Sequence, residues 1–262
     1  MANTKKEIFL NYLKKLKIDF SKTTFLIDQE VHLSCIFDIS PKDFLSFAKL
    51  DFKGNDVRGR ANGLTNAKRA IDCQTDLILT GFKIDSEHLP LALVNFINTN
   101  SSKSATKIHL KLFEALGIAP IGILAKVRTL RHKLEHFYKE PTKDEVLDAI
   151  ELAELFLIAT NSKLNKILEY QIKDTSNEND TLHGSLYIRF LTSEARFYIQ
   201  CFNLDNTIEE IYVDNKDDLF YYLMKIALNT DEIDKIEENM ITLLRYLDHP
   251  IPSKNIHIED WR

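Results

Sequence analysis

Arg131-His132-Lys133-Leu134-Glu135-His136-Phe137-Tyr138 closes a run whose apolar residues recur at helical spacing, and the reading of this run decides the fold. At 100° per residue, Ile123, Val127, Leu130, Leu134 and Phe137 fall within about 80° of one another and are predicted to pack inward. Arg128, Arg131, His132, Glu135 and His136 fall on the opposite side, spread over about 140°. Two imidazoles and two guanidiniums therefore project from one helix face. Imidazole gives or takes a proton near neutral pH. Guanidinium stays charged and grips phosphate oxygens in pairs. Together these groups suit the cutting of a phosphodiester.

Working outward, helical spacing also marks residues 4–17, 41–54, 59–79, 87–98 and 104–116, with the run above covering 120–138. Ser40-Pro41 is a helix start, with Ser as N-cap and Pro in the first turn. Thr142-Lys143-Asp144-Glu145 is a capping box. It opens a long helix whose Val146, Ile150, Ala153, Leu157 and Leu164 keep the rhythm to about residue 170. Residues 24–37 are ambiguous, with short runs that could be strands. The polar, aperiodic stretch 173–181 reads as a linker. Beyond it, 182–191, 195–203 and 207–213 read as three strands of a meander, and 216–228 and 231–247 as two helices. With only 7 Gly and 6 Pro, long regular elements are expected. The expected fold is mainly α: an N-terminal helix and extension (1–40), a helical bundle (41–172) and a small α+β domain (181–262).

Composition narrows the function classes. The 262 residues are 44% hydrophobic and 28% charged, as in an ordinary globular protein. No apolar run approaches the roughly 20 residues of a membrane span, and the basic N-terminus lacks the apolar core of a signal peptide. Cys35, Cys73 and Cys201 are odd in number and scattered, which fits a reducing compartment and excludes a disulfide framework. A cytoplasmic protein without a membrane partner is expected. The net charge of −5 excludes a generally basic nucleic-acid binder. Locally, however, Lys126, Arg128, Arg131 and Lys133 stand against Glu135 alone, a patch suited to one anion or RNA contact.

Three readings compete for residues 131–138. A solvated helix face explains the charges through the i,i+4 neighbours Arg128–His132 and Arg131–Glu135. His132-Lys133-Leu134-Glu135-His136 also matches the His-x-x-Glu-His order of a zinc peptidase class. That fold is too large for this chain, and only His132 and His136 are spaced to ligate, so no metal and no cofactor is expected.

The third reading draws on more of the chain. Arg131, His132 and His136 supply Arg, a polar residue, three further residues and His, and His136-Phe137-Tyr138 extends this to Arg-x-x-x-x-His-x-Tyr. Together with Asn66-Ala67-Lys68-Arg69-Ala70-Ile71-Asp72-Cys73-Gln74, the stretch resembles the HEPN superfamily over roughly residues 41–172. The likeness is to HEPN ribonuclease toxins paired with nucleotidyltransferase antitoxins and to bacterial HEPN-like proteins. It implies a helical bundle that forms a homodimer, bringing two copies of the motif around one cleft. It implies a metal-independent endoribonuclease that uses the RNA 2′-hydroxyl as nucleophile and serves in toxin–antitoxin or antiviral defence. Carried over, Arg131 and His136 are catalytic, Arg131 holding the phosphate and His136 moving the proton. His132 would orient one of them, with Arg128 and Glu135 beside it. Lys68 and Asp72, one turn apart, either line the cleft or form a plain surface pair. Tyr138 is the residue open to modification by a nucleotidyltransferase-type antitoxin. Some members only bind RNA or a partner protein, so a catalytically inactive binding module is the alternative.

Overall fold

The computed structural model describes all residues except 1–3, 34–35, 55, 103–107, 120–123, 165–166, 175–183, 206, 251–255 and 262. In chain order the elements are α1 (Lys5–Leu16), a 3₁₀ turn (Phe20–Lys22), β1 (Thr23–Val31), α2 (Pro41–Lys53), α3 (Val57–Gly81), α4 (Leu91–Asn100), α5 (Ile108–Leu116), α6 (Leu124–Phe137) and α7 (Lys143–Leu164). Then follow β2 (Ile167–Asp174), β3 (Ser185–Leu191), β4 (Arg196–Phe202), β5 (Ile208–Asp214), α8 (Asp218–Ala227), α9 (Ile233–Tyr246) and β6 (Ile258–Trp261). They form two compact units that interleave in sequence. A sheet unit takes Met1–Leu33, Leu89–Thr99 and Leu164–Arg262, and a helical unit takes Ser34–His88 and Asn100–Lys163. No helix among the described residues is long and apolar enough to cross a membrane.

In the sheet unit the strand order is β5-β4-β3-β2-β1-β6. The first five are antiparallel to their neighbours, and short β6 runs parallel to β1. Alternation makes one face apolar: Phe197, Ile199 and Cys201 of β4 are buried, while Arg196, Tyr198 and Gln200 face the other way and are part-exposed. Helix α8 is buried almost all round, as expected for a helix embedded in a core. Phe190, Phe197 and Phe220 pack ring to ring with centroids 5.2–6.2 Å apart. The Tyr170 hydroxyl donates to the Leu223 carbonyl at 3.4 Å, which satisfies a polar group in an otherwise apolar layer.

The architecture is mixed α+β, which corrects the expectation of a mainly α chain ending in a small α+β domain. The sheet takes in two segments that the periodicity left undecided or read as helix. The ambiguous stretch 24–37 contains most of β1, whose Phe25 stacks on Tyr170 with ring centroids 5.0 Å apart. The helix expected to run to about residue 170 ends at Leu164, and β2 begins at Ile167. Here the period changes from helical to two: Tyr170 and Ile172 are buried on one face, and Glu169, Gln171 and Lys173 lie on the other. Much of the expected linker, residues 175–183, lies outside the described residues.

In the helical unit, α2 and α3 pack along their length. Ser40 and Asp43 form a reciprocal capping box on α2, with Pro41 in the first turn. Helix α3 approaches α2 at glycines because nothing larger fits. A Cβ at Gly59 would lie 2.4 Å from the Asp51 carbonyl oxygen, and one at Gly63 would lie 3.2 Å from Val146 and 3.3 Å from the Ala48 carbonyl oxygen. Leu64, Ala67, Ala70 and Ile71 complete the inward stripe of α3. The capping box expected at the start of α7 is present, with Thr142 and Glu145 exchanging bonds of 2.9 and 3.2 Å.

Candidate functional site

Helix α6 places the motif. Leu124, Val127 and Leu130 are buried and hold the helix against its own unit, where α3 is a neighbour. Ile123 lies outside the described residues. The inward stripe does not continue to the C-terminus as the spacing suggested. Leu134 is only half-buried and Phe137 is 69% exposed, so the last turn of α6 stands clear of the core. A lysine–aspartate pair, Lys126 with Asp148, ties α6 to α7.

The polar face is arranged as follows. An Nη of Arg131 contacts the Glu135 carboxylate at 2.5 Å, one helical turn on. The Nε of the same guanidinium is buried and has no hydrogen-bond acceptor among the described residues. His132 and His136 are exposed, with ring centroids 4.4 Å apart and planes at 41°. The Phe137 ring meets His132 edge-on at 5.6 Å. Arg128 is half-buried on the same helix. Arg131, His132, Glu135 and His136 are thus brought together on one exposed surface.

The remaining candidates are placed differently. Lys68 and Asp72 pair with each other along α3, the plain reading of their spacing. Tyr138 is 89% exposed and has φ 51°, a left-handed backbone that a bulky side chain rarely adopts. The turn is closed by the Lys139 amide donating to the Lys133 carbonyl at 3.2 Å. Cys73, half-buried, donates its thiol to the Ile39 carbonyl at 3.6 Å.

Sequence reasoning missed the brace behind the motif. Arg60, in the first turn of α3, pairs with Glu140 and donates through Nε to the Pro141 carbonyl at 3.2 Å. This fixes the loop that follows Tyr138. A contact between segments so far apart leaves no local pattern to find. Among the described residues no three His, Cys, Asp or Glu side chains are placed to hold a metal ion, and Glu135 of the His-x-x-Glu-His order is engaged by Arg131. No protein-family model, curated protein or solved structure matches the chain.

Proposed function

We propose that the chain is a metal-independent endoribonuclease of HEPN type, acting in the cytoplasm as a homodimer under the restraint of an antitoxin. The observation that carries this reading is the half-satisfied guanidinium of Arg131 beside two adjacent imidazoles. Glu135 matches one arm of the fork and leaves Nε without an acceptor. A phosphodiester, with two oxygens on one phosphorus, can satisfy both arms once Glu135 is displaced and the buried Nε is uncovered. In the proposed reaction His136 takes the proton of the 2′-hydroxyl. The 2′-oxygen forms a bond to phosphorus, the bond to the 5′-oxygen breaks, and an imidazolium returns a proton to that leaving oxygen. Arg131 balances the charge that gathers on the phosphoryl oxygens. The products are a 2′,3′-cyclic phosphate and a 5′-hydroxyl.

The test incubates purified protein with mixed RNA and EDTA. His136→Ala is expected to lower the cleavage rate by about 10²–10⁴, and Arg131→Ala by about 10²–10³. A substrate lacking the 2′-hydroxyl should resist cleavage. Equal cleavage by wild type and His136→Ala overturns the assignment. The basic side of α6, where exposed Lys133 and half-buried Arg128 stand beside Arg131, favours a second reading, an RNA-binding module without turnover. RNA retained intact by wild type and released by Arg131→Ala identifies that case.

A further inference from the structure

The sheet unit contains a cavity of about 370 Å³ on which the first turns of three helices converge: Lys5 and Lys6 of α1, Leu91 and Ala92 of α4, and Asp218 and Leu219 of α8. We propose that this cavity binds a small phosphorylated polyol, with the phosphate held among the lysines and the hydroxyl groups held by Asp217 and Asp218.

Three lysines and two aspartates line the cavity, and only part of this charge is paired. Lys5, Lys6 and Lys216 all line it. Lys6 is engaged, pairing with Asp248 at 2.7 Å and lying 5.0 Å from the centre of the Tyr246 ring. Among the described residues the ammonium groups of Lys5 and Lys216 have no ion-pair or hydrogen-bond partner. The N-terminus of α1 is closed by its own Thr4–Glu7 capping box. Helix α4 has no acidic residue of its own in its first turn, where Leu91 and Ala92 meet the cavity. Two unpaired ammonium groups beside a helix N-terminus suit a phosphate.

The negative side sets the rest of the ligand. Asp217 is the N-cap of α8 without a side-chain cap hydrogen bond, its carboxyl accepting instead from the Asp214 backbone amide, and Asp218 accepts from the Asn95 amide. Burial pushes both carboxyls up from the usual range, although Lys5 and Lys6 pull them down. Each part-buried carboxylate has one protein donor, and hydroxyl groups can fill its remaining acceptor positions. A bare anion would leave them unmet, and a bare cation would face the lysines. A phosphate joined to several hydroxyls meets both sets. The volume sits near the lower end of small-ligand pockets, which run to about 300–1,000 Å³. Tyr246 stacks on Tyr222 at 4.2 Å and lies under Lys6, so it offers no bare ring to a nucleobase.

The proposal is tested by calorimetric titration of the full chain with ribose 5-phosphate, glucose 6-phosphate, glycerol 3-phosphate, ribose and inorganic phosphate. At least one phosphorylated polyol is expected to saturate the protein about tenfold more tightly than inorganic phosphate, with ribose giving no saturable heat. Lys216→Glu, at an exposed position, should abolish both that binding and phosphate binding. Asp217→Asn should weaken the polyol phosphate towards the phosphate value, while inorganic phosphate binds as well or slightly more tightly. Inorganic phosphate binding as tightly as every polyol phosphate would reduce the site to an adventitious anion site. Absence of saturable binding across the panel, or binding indifferent to Lys216→Glu, overturns the proposal.

Discussion

The polar face of α6 and the cavity of the sheet unit use the same kinds of side chain and differ in what those side chains already hold. On α6 the guanidinium of Arg131 is answered within the same helix by Glu135, one turn on, and Lys126 is answered by Asp148 of the next helix. In the cavity the charges come from two separated stretches of chain, and among the described residues the ammonium groups of Lys5 and Lys216 make no ion pair. A motif that one helix can write is therefore visible in the sequence and partly self-quenched in the fold. A site assembled from distant helix ends is invisible in the sequence, and its unmet charges are the feature that marks it.

The largest effect that tests this contrast is expected from Leu130→Ala, which removes a buried anchor of α6 at a cost of about 2–5 kcal/mol. RNA cleavage should fall with it, while binding in the cavity persists. Loss of both together would show that the two regions are one cooperative system. Tyr138→Gly comes next. Its positive φ costs an L-residue about 1–2 kcal/mol, and glycine returns part of that as unfolded-chain entropy. A net gain of up to about 1 kcal/mol should appear as a higher Tm, and a lower Tm would show that the exposed ring has a packing role.

Glu135→Gln should free Arg131 and tighten RNA binding by about twofold at low salt, the scale of an exposed i,i+4 pair. The difference should shrink as salt rises. Unchanged affinity would mean that Glu135 does not compete with phosphate. The smallest effect concerns Asp217. Its folded carboxyl holds the proton more tightly than in the unfolded chain, so protonation stabilises the fold. That contribution is complete below the ordinary carboxylate range and is lost as pH rises through the raised value. Asp217→Asn should therefore raise Tm near pH 7 and leave it nearly unchanged near pH 3, approximately below the reference carboxyl value. An effect of equal size at both pH values would exclude desolvation as the cause.

The parts of the fold legible in the sequence are those whose signal is local. The N-cap at Ser40 and the capping box at Thr142 stand where the residues place them. The alternation of Phe197, Ile199 and Cys201 marks β4 directly. The course of β2 was hidden because helical rhythm from Val146 to Leu164 runs almost without a breaker into Ile167, and only pairing with β1 and β3 selects the extended form. At the motif, spacing identified the residues that share a face. It could not tell that Leu134 and Phe137 lack a neighbouring element to bury them, because burial depends on what packs opposite.

The pairing of β1 with β2 also dictates an order of assembly. Phe25 meets Ile172 across the whole helical unit, whereas β3 and β4 close between Leu191 and Arg196. Loop-closure entropy makes the first contact dearer by roughly 3 kcal/mol if the intervening chain is still a coil. The hairpins β3–β4 and β4–β5 can form as soon as they are made. Insertion of β1 must wait until the intervening helices have condensed and shortened the effective loop. Until then β2 presents an open edge, and any extended segment of suitable pattern competes for it. Rapid condensation of the helices is thus the chain's protection against mispairing during synthesis.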